Sequence, residues 1–232
     1  MKIIEKIVAK SNDNLNNPRP RIAFLGDSVT QGALRGGIDL EMVYHNQLKK
    51  MIEVLFPGVP VDMINAGIGG TTAGFAVERI DRDIISKKPD LCVVAFGLND
   101  NDVKTEDPLK TFADNLRAIF TKLQENDIEI IFMTENMMND EIIEAAIEPQ
   151  YREYADVTCE RQNNGWMDTF MEETRKVSAE FGIPVCDCYA KWKKLRENGV
   201  RTTRLLINGI NHPNQAMHKL FAYSLLETML NN

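Results

Sequence analysis

Five short apolar runs punctuate the chain, over residues 22–25, 61–64, 91–96, 128–133 and 183–185. Segments of helical period separate them or follow the last, over 40–56, 75–86, 108–124, 167–181 and 213–230. That alternation predicts a parallel sheet flanked by helices. In the final segment Met217, Leu220, Phe221, Ser224, Leu225 and Thr228 share one face, the spacing a helix needs to dock on a sheet and close the fold. Residues 134–165 are longer than a usual βα connection and carry acids, methionines and a proline. They read either as a functional lid or as a helical insertion packed on the surface. No repeat or low-complexity linker divides the chain, so residues 1–232 are expected to form one domain.

Composition narrows the function classes. Hydrophobic residues make up 44% and charged residues 26% of 232, an ordinary globular balance. A net charge of -7, without any basic run, argues against nucleic acid as a partner. The N-terminal "MKIIEKIVAK" lacks an apolar stretch of signal-peptide length, and no later run approaches a membrane span, so a cytoplasmic location without membrane contact is expected. Cys92, Cys159, Cys186 and Cys188 have neither zinc-ligand nor redox-motif spacing and read as reduced packing residues. No metal site is expected.

In an open parallel sheet the ligand crevice lies outside the carboxyl ends of the strands. Directly after the first run comes Gly26-Asp27-Ser28-Val29-Thr30-Gln31-Gly32, where the glycines permit a sharp turn that leaves Ser28 facing the crevice. Asp27, Ser28 and Thr30 are also common capping residues, so this stretch alone is equally consistent with a capped turn. After the second run, Asn65, Gly67, Gly69 and Gly70 form a loop able to aim backbone N–H groups at developing negative charge. After the third, Gly97, Asn99 and Asp100 reach the same edge, and an Asn amide there is a suitable oxyanion donor. Of three histidines, His45 and His218 fall inside helical segments and read as surface or packing residues. His212 precedes Pro213, whose ring suits a first helical position; a helix N-terminus there would keep the imidazole neutral and able to accept a proton.

These four blocks, in this order and across most of the chain, resemble the SGNH or GDSL hydrolases, a family of esterases, thioesterases, lipases and carbohydrate deacetylases. The resemblance implies a flavodoxin-like three-layer α/β/α domain with a five-stranded parallel sheet and no cofactor. It places Ser28 as nucleophile, although Val29 stands where the family's nickname has Leu. His212 becomes the base, and Ser28, Gly70 and Asn99 the oxyanion donors, with Gly69 the near alternative to Gly70. One position departs from the pattern: three residues before the histidine, where the family carries an acid, stands Gly209. Asn208, Asn211 or a backbone carbonyl near Gly209 could accept the Nδ1 proton instead, while Asp187 reads as structural. The implied activity is hydrolysis of a short acyl ester, acetyl in the first instance, on a small molecule or carbohydrate. Met137 and Met138 are candidates for an acyl pocket, and Trp166 or Trp192 for a sugar platform. The missing acid favours one rival, a noncatalytic ligand-binding module derived from a hydrolase. A flavin or nucleotide binder would suit the fold but not the loops, which carry no phosphate-binding signature.

Overall fold

The computed structural model describes residues 1–34 and 37–232. In chain order the strands are β1 (Arg21–Gly26), β2 (Ala33–Leu34), β3 (Gly37–Ile38), β4 (Asp62–Gly67), β5 (Leu91–Ala95), β6 (Glu129–Thr134) and β7 (Val185–Asp187). The α-helices are α1 (Lys2–Asn12), α2 (Ser28–Gln31), α3 (Tyr44–Leu55), α4 (Ala73–Asp83), α5 (Pro108–Gln124), α6 (Arg152–Asn163), α7 (Trp166–Glu180), α8 (Cys188–Glu197) and α9 (Gln215–Asn231). All five predicted strands occur, each overlapping its apolar run and ending within three residues of it. They form one parallel sheet in the order β4-β1-β5-β6-β7. Helices cover both of its faces, giving the three-layer α/β/α arrangement.

The strand order fixes where the chemistry can sit. β1 is flanked by β4 and β5, so successive connections leave it in opposite directions and open a crevice at its carboxyl end. Gly26 there is in register with Gly67 of β4 and Ala95 of β5. Behind that edge, β1 and β5 are buried along almost their whole length, and Phe24, Val93, Phe132 and Phe120 belong to one continuous core. α5 starts where its sequence dictates, with Pro108 in its first turn and the Asp107 side chain accepting the Lys110 N–H.

Three elements escaped the hydrophobic pattern. α1 lies over the core through Ile3 and Ile7, its first amides bonded to the Glu129 carboxylate of β6. α6 and α8 carry mixed faces and are held mainly by tertiary polar contacts, such as Gln162 to the Tyr189 hydroxyl. α9 begins at Gln215 behind an Asn214 cap, and Pro213 instead pairs with Leu206 in a short bridge. Pro213 therefore does not open the helix as expected, and His212 stands in a closed loop two residues before the Asn214 cap. His45 and His218 are both packed inside, at 5% and 1% exposure, around the Tyr44 ring.

Candidate active site

Ser28 follows β1 on a single turn of helix. Asp27 caps that turn, its Oδ1 accepting the Val29 N–H at 2.9 Å. Gly32 ends it in the left-handed conformation, φ 94°, which a side chain would strain. Across the crevice, His212 Nε2 lies 2.9 Å from Ser28 Oγ. Burial alone pushes the His212 imidazole down to about 4, so the ring is neutral at physiological pH. A neutral Nε2 facing a serine hydroxyl can accept its proton.

The loop that carries His212 is built almost without side-chain help from outside. Ile207 N–H donates to the His212 carbonyl, and Asn214 N–H to that of Leu205. Asn208 Oδ1 accepts three main-chain N–H groups, those of Ile210, Asn211 and His212. Asn208 thus corrects its expected role: its oxygen is spent on the backbone and holds His212 by the main chain, not by Nδ1. The ring nitrogen Nδ1 has no hydrogen-bond partner among the described residues. Gly209, where the family's acid would stand, has φ 68°, and a Cβ there would come within 2.9 Å of the Ala146 Cβ. A carboxylate at this position would require the neighbouring segment to move. Asp187 is engaged elsewhere, capping α8 and pairing with Arg175.

The side on which the oxyanion donors are expected is formed by three strand ends. Asn99 Nδ2 donates to Asp27 Oδ2 at 3.0 Å and to the Thr71 carbonyl at 2.9 Å, which ties the β5 edge to both neighbouring loops. Gly69 N–H is taken by Gln31 Oε1 at 3.0 Å. Gly70, at φ 73°, has no such partner among the described residues, and both glycines line the cavity beside Ser28. Below this edge Arg79, 3% exposed, donates to the carbonyls of Gly26 and Ala66 and clamps the ends of β1 and β4 together. Three further carboxyls are buried close by: Asp27, Asp100 and Glu135. Desolvation raises them, Asp27 to about 6 and Asp100 to about 7.

The cavity over Ser28 holds about 470 Å³ and opens between Leu34, Tyr151, Tyr154 and Ile210. Its size suits a small ligand. Met137 and Met138 do not line it; both are fully buried in the core. Trp192 is buried as well, and Trp166 donates its indole N–H to the Asn101 carbonyl, so neither tryptophan faces the site. Their expected place is taken by Tyr151 and Tyr154, contributed by the 134–165 segment. That segment is a helical insertion whose middle walls the cavity and whose first residues run buried beneath it. Glu135 and Tyr151 were not singled out in the sequence; Glu135, directly after a strand, obeys the strand-end rule that identified Ser28 and Asn99.

This geometry coincides with a family match over residues 24–220, to the GDSL-like lipase/acylhydrolase family. The chain belongs to that family. Among curated proteins it is 29% identical over 158 residues to a Bacillus subtilis protein named as the uncharacterized lipoprotein YqeF, covering 63% of this chain and 62% of that one. It is 27% identical over 92 residues to an acetylxylan esterase of Geobacillus stearothermophilus, covering 34% and 39%. The matched stretches thus span less than two thirds of either relative. Solved structures share the fold: an acetyl-xylooligosaccharide esterase of Geobacillus superposes with a TM-score of 0.70 at 21% identity, covering 90% of this chain and 94% of that one. A two-domain esterase active on acetylated mannans superposes with 0.69 at 20%, covering 99% and 53%. No helix among the described residues is long and apolar enough to cross a membrane.

Proposed function

We propose that this GDSL-family chain is a serine esterase that removes short acyl groups, acetyl foremost, from a carbohydrate or similarly polar alcohol, with residues 1–232 working as one domain. The observation that carries the reading is the 2.9 Å contact between a neutral His212 and Ser28 at the topological switch point of the sheet. His212 takes the Ser28 proton as Oγ attacks the ester carbonyl. The tetrahedral oxyanion then meets the main-chain N–H groups of Ser28 and Gly70, with Asn99 as the side-chain donor. Collapse expels the alcohol, which His212 protonates, and water releases the acid from the acyl-enzyme by the same route. Both Asn99 Nδ2 hydrogens are engaged in the resting site, so Asn99 must turn the hydrogen now given to Thr71 toward the oxyanion.

Support for a small acyl group on a polar alcohol comes from the cavity. Ala33, Leu34 and Ile210 offer a modest apolar surface, while Gln31, Glu148 and Asn208 supply polar groups and Tyr151 an exposed ring. Relatives named for acetylated xylan and mannan point the same way. A screen of p-nitrophenyl esters from acetyl to dodecanoyl, run beside acetylated oligosaccharides, tests the assignment. Rates that climb with chain length, without activity on acetylated sugars, would overturn it. A fluorophosphonate probe should label the wild type and spare Ser28→Ala. An unlabelled wild type would favour the noncatalytic reading, whose support is the lack of an acid behind His212.

A further inference from the structure

Beside Asn99 two buried carboxyl groups meet. Asp27 and Glu135 are both 0% exposed, their carboxyls lie within reach of each other, and neither joins an ion pair among the described residues. Two carboxylates in hydrogen-bond contact cannot both be charged, so the pair shares a proton at neutral pH. The surrounding donors decide where it sits. Asp27 accepts from Val29 N–H through Oδ1 and from Asn99 Nδ2 through Oδ2, two bonds that favour its charged form. Glu135 receives one, from Leu98 N–H to Oε2 at 3.2 Å, while its Oε1 faces no donor at all. That orphaned oxygen is explained if it carries the hydrogen given to Asp27.

We propose that Glu135 is a positioning residue: as a neutral acid it donates a hydrogen bond to Asp27, and Asp27, so held, fixes the Asn99 amide and the Ser28 turn for ester hydrolysis. The chain of contacts is continuous, from Glu135 to Asp27, and from Asp27 to both Asn99 and the amide that follows Ser28. Burial and the Asp27 charge both push the Glu135 carboxyl well above its usual range, in agreement with that assignment. Asp100 is the remaining buried acid close enough to act on Glu135, and its like charge pushes the same way. The Tyr44 hydroxyl on the other flank is bonded to Thr30 and stays neutral. The proposal rests on the esterase reading for its catalytic consequence, but not for the proton itself.

Glu135→Gln and Asp27→Asn separate the two carboxyls. A glutamine at 135 can accept from Leu98 through its oxygen and donate to Asp27 through its amide, so it should restore most of the kcat that Glu135→Ala loses. An asparagine at 27 turns a donor toward Asn99 Nδ2 and toward the Glu135 hydrogen. It should lower kcat by about 10²-fold with KM changed far less, as loss of an oxyanion donor does. With Asp100, itself raised to about 7, replaced by Asn in every protein compared, the infrared spectrum at neutral pH should contain a protonated-carboxyl band that disappears in Glu135→Gln, whatever the activity. Persistence of that band in Glu135→Gln, wild-type kcat in Asp27→Asn, or equal losses in folded Glu135→Gln and Glu135→Ala would each overturn the proposal. Should Glu135→Ala fail to fold, the infrared difference and the Gln–Asn contrast decide alone. Absence of fluorophosphonate labelling at Ser28 would strike the esterase reading, whereas a persisting band strikes the proton-sharing pair.

Discussion

Gly67→Ala is the sharpest structural test of the site, because the residue looks like loop material in the sequence and is a point of closest approach in the fold. A Cβ at 67 would lie 2.2 Å from the Gln31 nitrogen, 2.6 Å from the Thr30 carbonyl carbon and 2.7 Å from the Gln31 Cα, all main-chain atoms of α2. Comfortable contact needs about 3.5 Å, so β4 and α2 must part by about 1 Å. α2 cannot slide inward, since Val29 and Thr30 are fully buried and Thr30 is bonded to the Tyr44 hydroxyl. The displacement therefore falls on the turn that carries Ser28, whose 2.9 Å contact with His212 would open beyond useful proton-transfer reach. Overpacking of this kind costs about 1–3 kcal/mol of stability. A misplacement of about 1 Å at the reacting groups lowers kcat/KM by about 10²-fold. Denaturant unfolding and hydrolysis of p-nitrophenyl acetate, measured on the same preparation, read both effects. Gly74→Ala in α4 serves as control, because its nearest neighbour is the end of a side chain, the Asn115 amide at 3.0 Å, and not main chain. Full wild-type turnover in Gly67→Ala would refute the close-approach argument.

Ser28→Ala should lower esterase activity by several orders of magnitude with an unchanged melting profile; retained turnover would remove Ser28 from the mechanism. Asn99→Ala should lower kcat by about 10²- to 10³-fold with a smaller change in KM, and a loss carried by KM alone would make Asn99 a binding residue. Burial holds His45, His212 and His218 each at about 4, so an NMR titration should find no imidazole with a midpoint between about pH 5 and 8 in the folded chain. Their folded values lie below the unfolded value of 6.5. Their contribution to stability is therefore complete above pH 6.5 and is lost as pH falls toward about 4. Tyr151→Ala should raise KM for an acetylated oligosaccharide while leaving p-nitrophenyl acetate hydrolysis nearly unchanged, and equal effects on both substrates would remove the sugar platform.

Strands and the main helices were legible because burial on a parallel sheet writes itself into continuous apolar runs, and one topological rule then placed Ser28, the glycine loop and Asn99 at a single edge. That rule covers only residues close to strand ends. Tyr151 reaches the cavity from an insertion whose helix α6 has little apolar periodicity, so its position depends on packing against α7 that no local pattern encodes. Arg79 is similar. Nothing in its local sequence marks it, yet from α4 it donates to carbonyls at the ends of the preceding strand β4 and of β1, which lies 53 residues away. The methionines and tryptophans misled for the opposite reason: their size and apolarity fit a pocket and a core equally well, and here the core took Met137, Met138 and Trp192.

The departure at Gly209 can be set against the placement of the buried acids. In a triad, a carboxylate behind the histidine favours the imidazolium that forms as the serine is deprotonated; an acceptor without charge does so less well, and its loss in a serine protease costs roughly 10⁴-fold in kcat, largely through a wrong tautomer. Here the turn at 207–212 is closed by main-chain bonds and by Asn208, so the main chain of His212 is held without a carboxylate, and the printed ring contact is the one Nε2 makes with Ser28. The buried acids stand on the other side of Ser28, where Asp27 grips Asn99 and Asp100 accepts the Ala73 N–H. Under the proposed mechanism the negative charge of the resting site thus orients the oxyanion donor and leaves the base unassisted. Such an enzyme gains its rate from preorganised donors more than from a strengthened base, which makes substitutions at Asn99 and Asp27 the more costly ones relative to changes around the His212 loop.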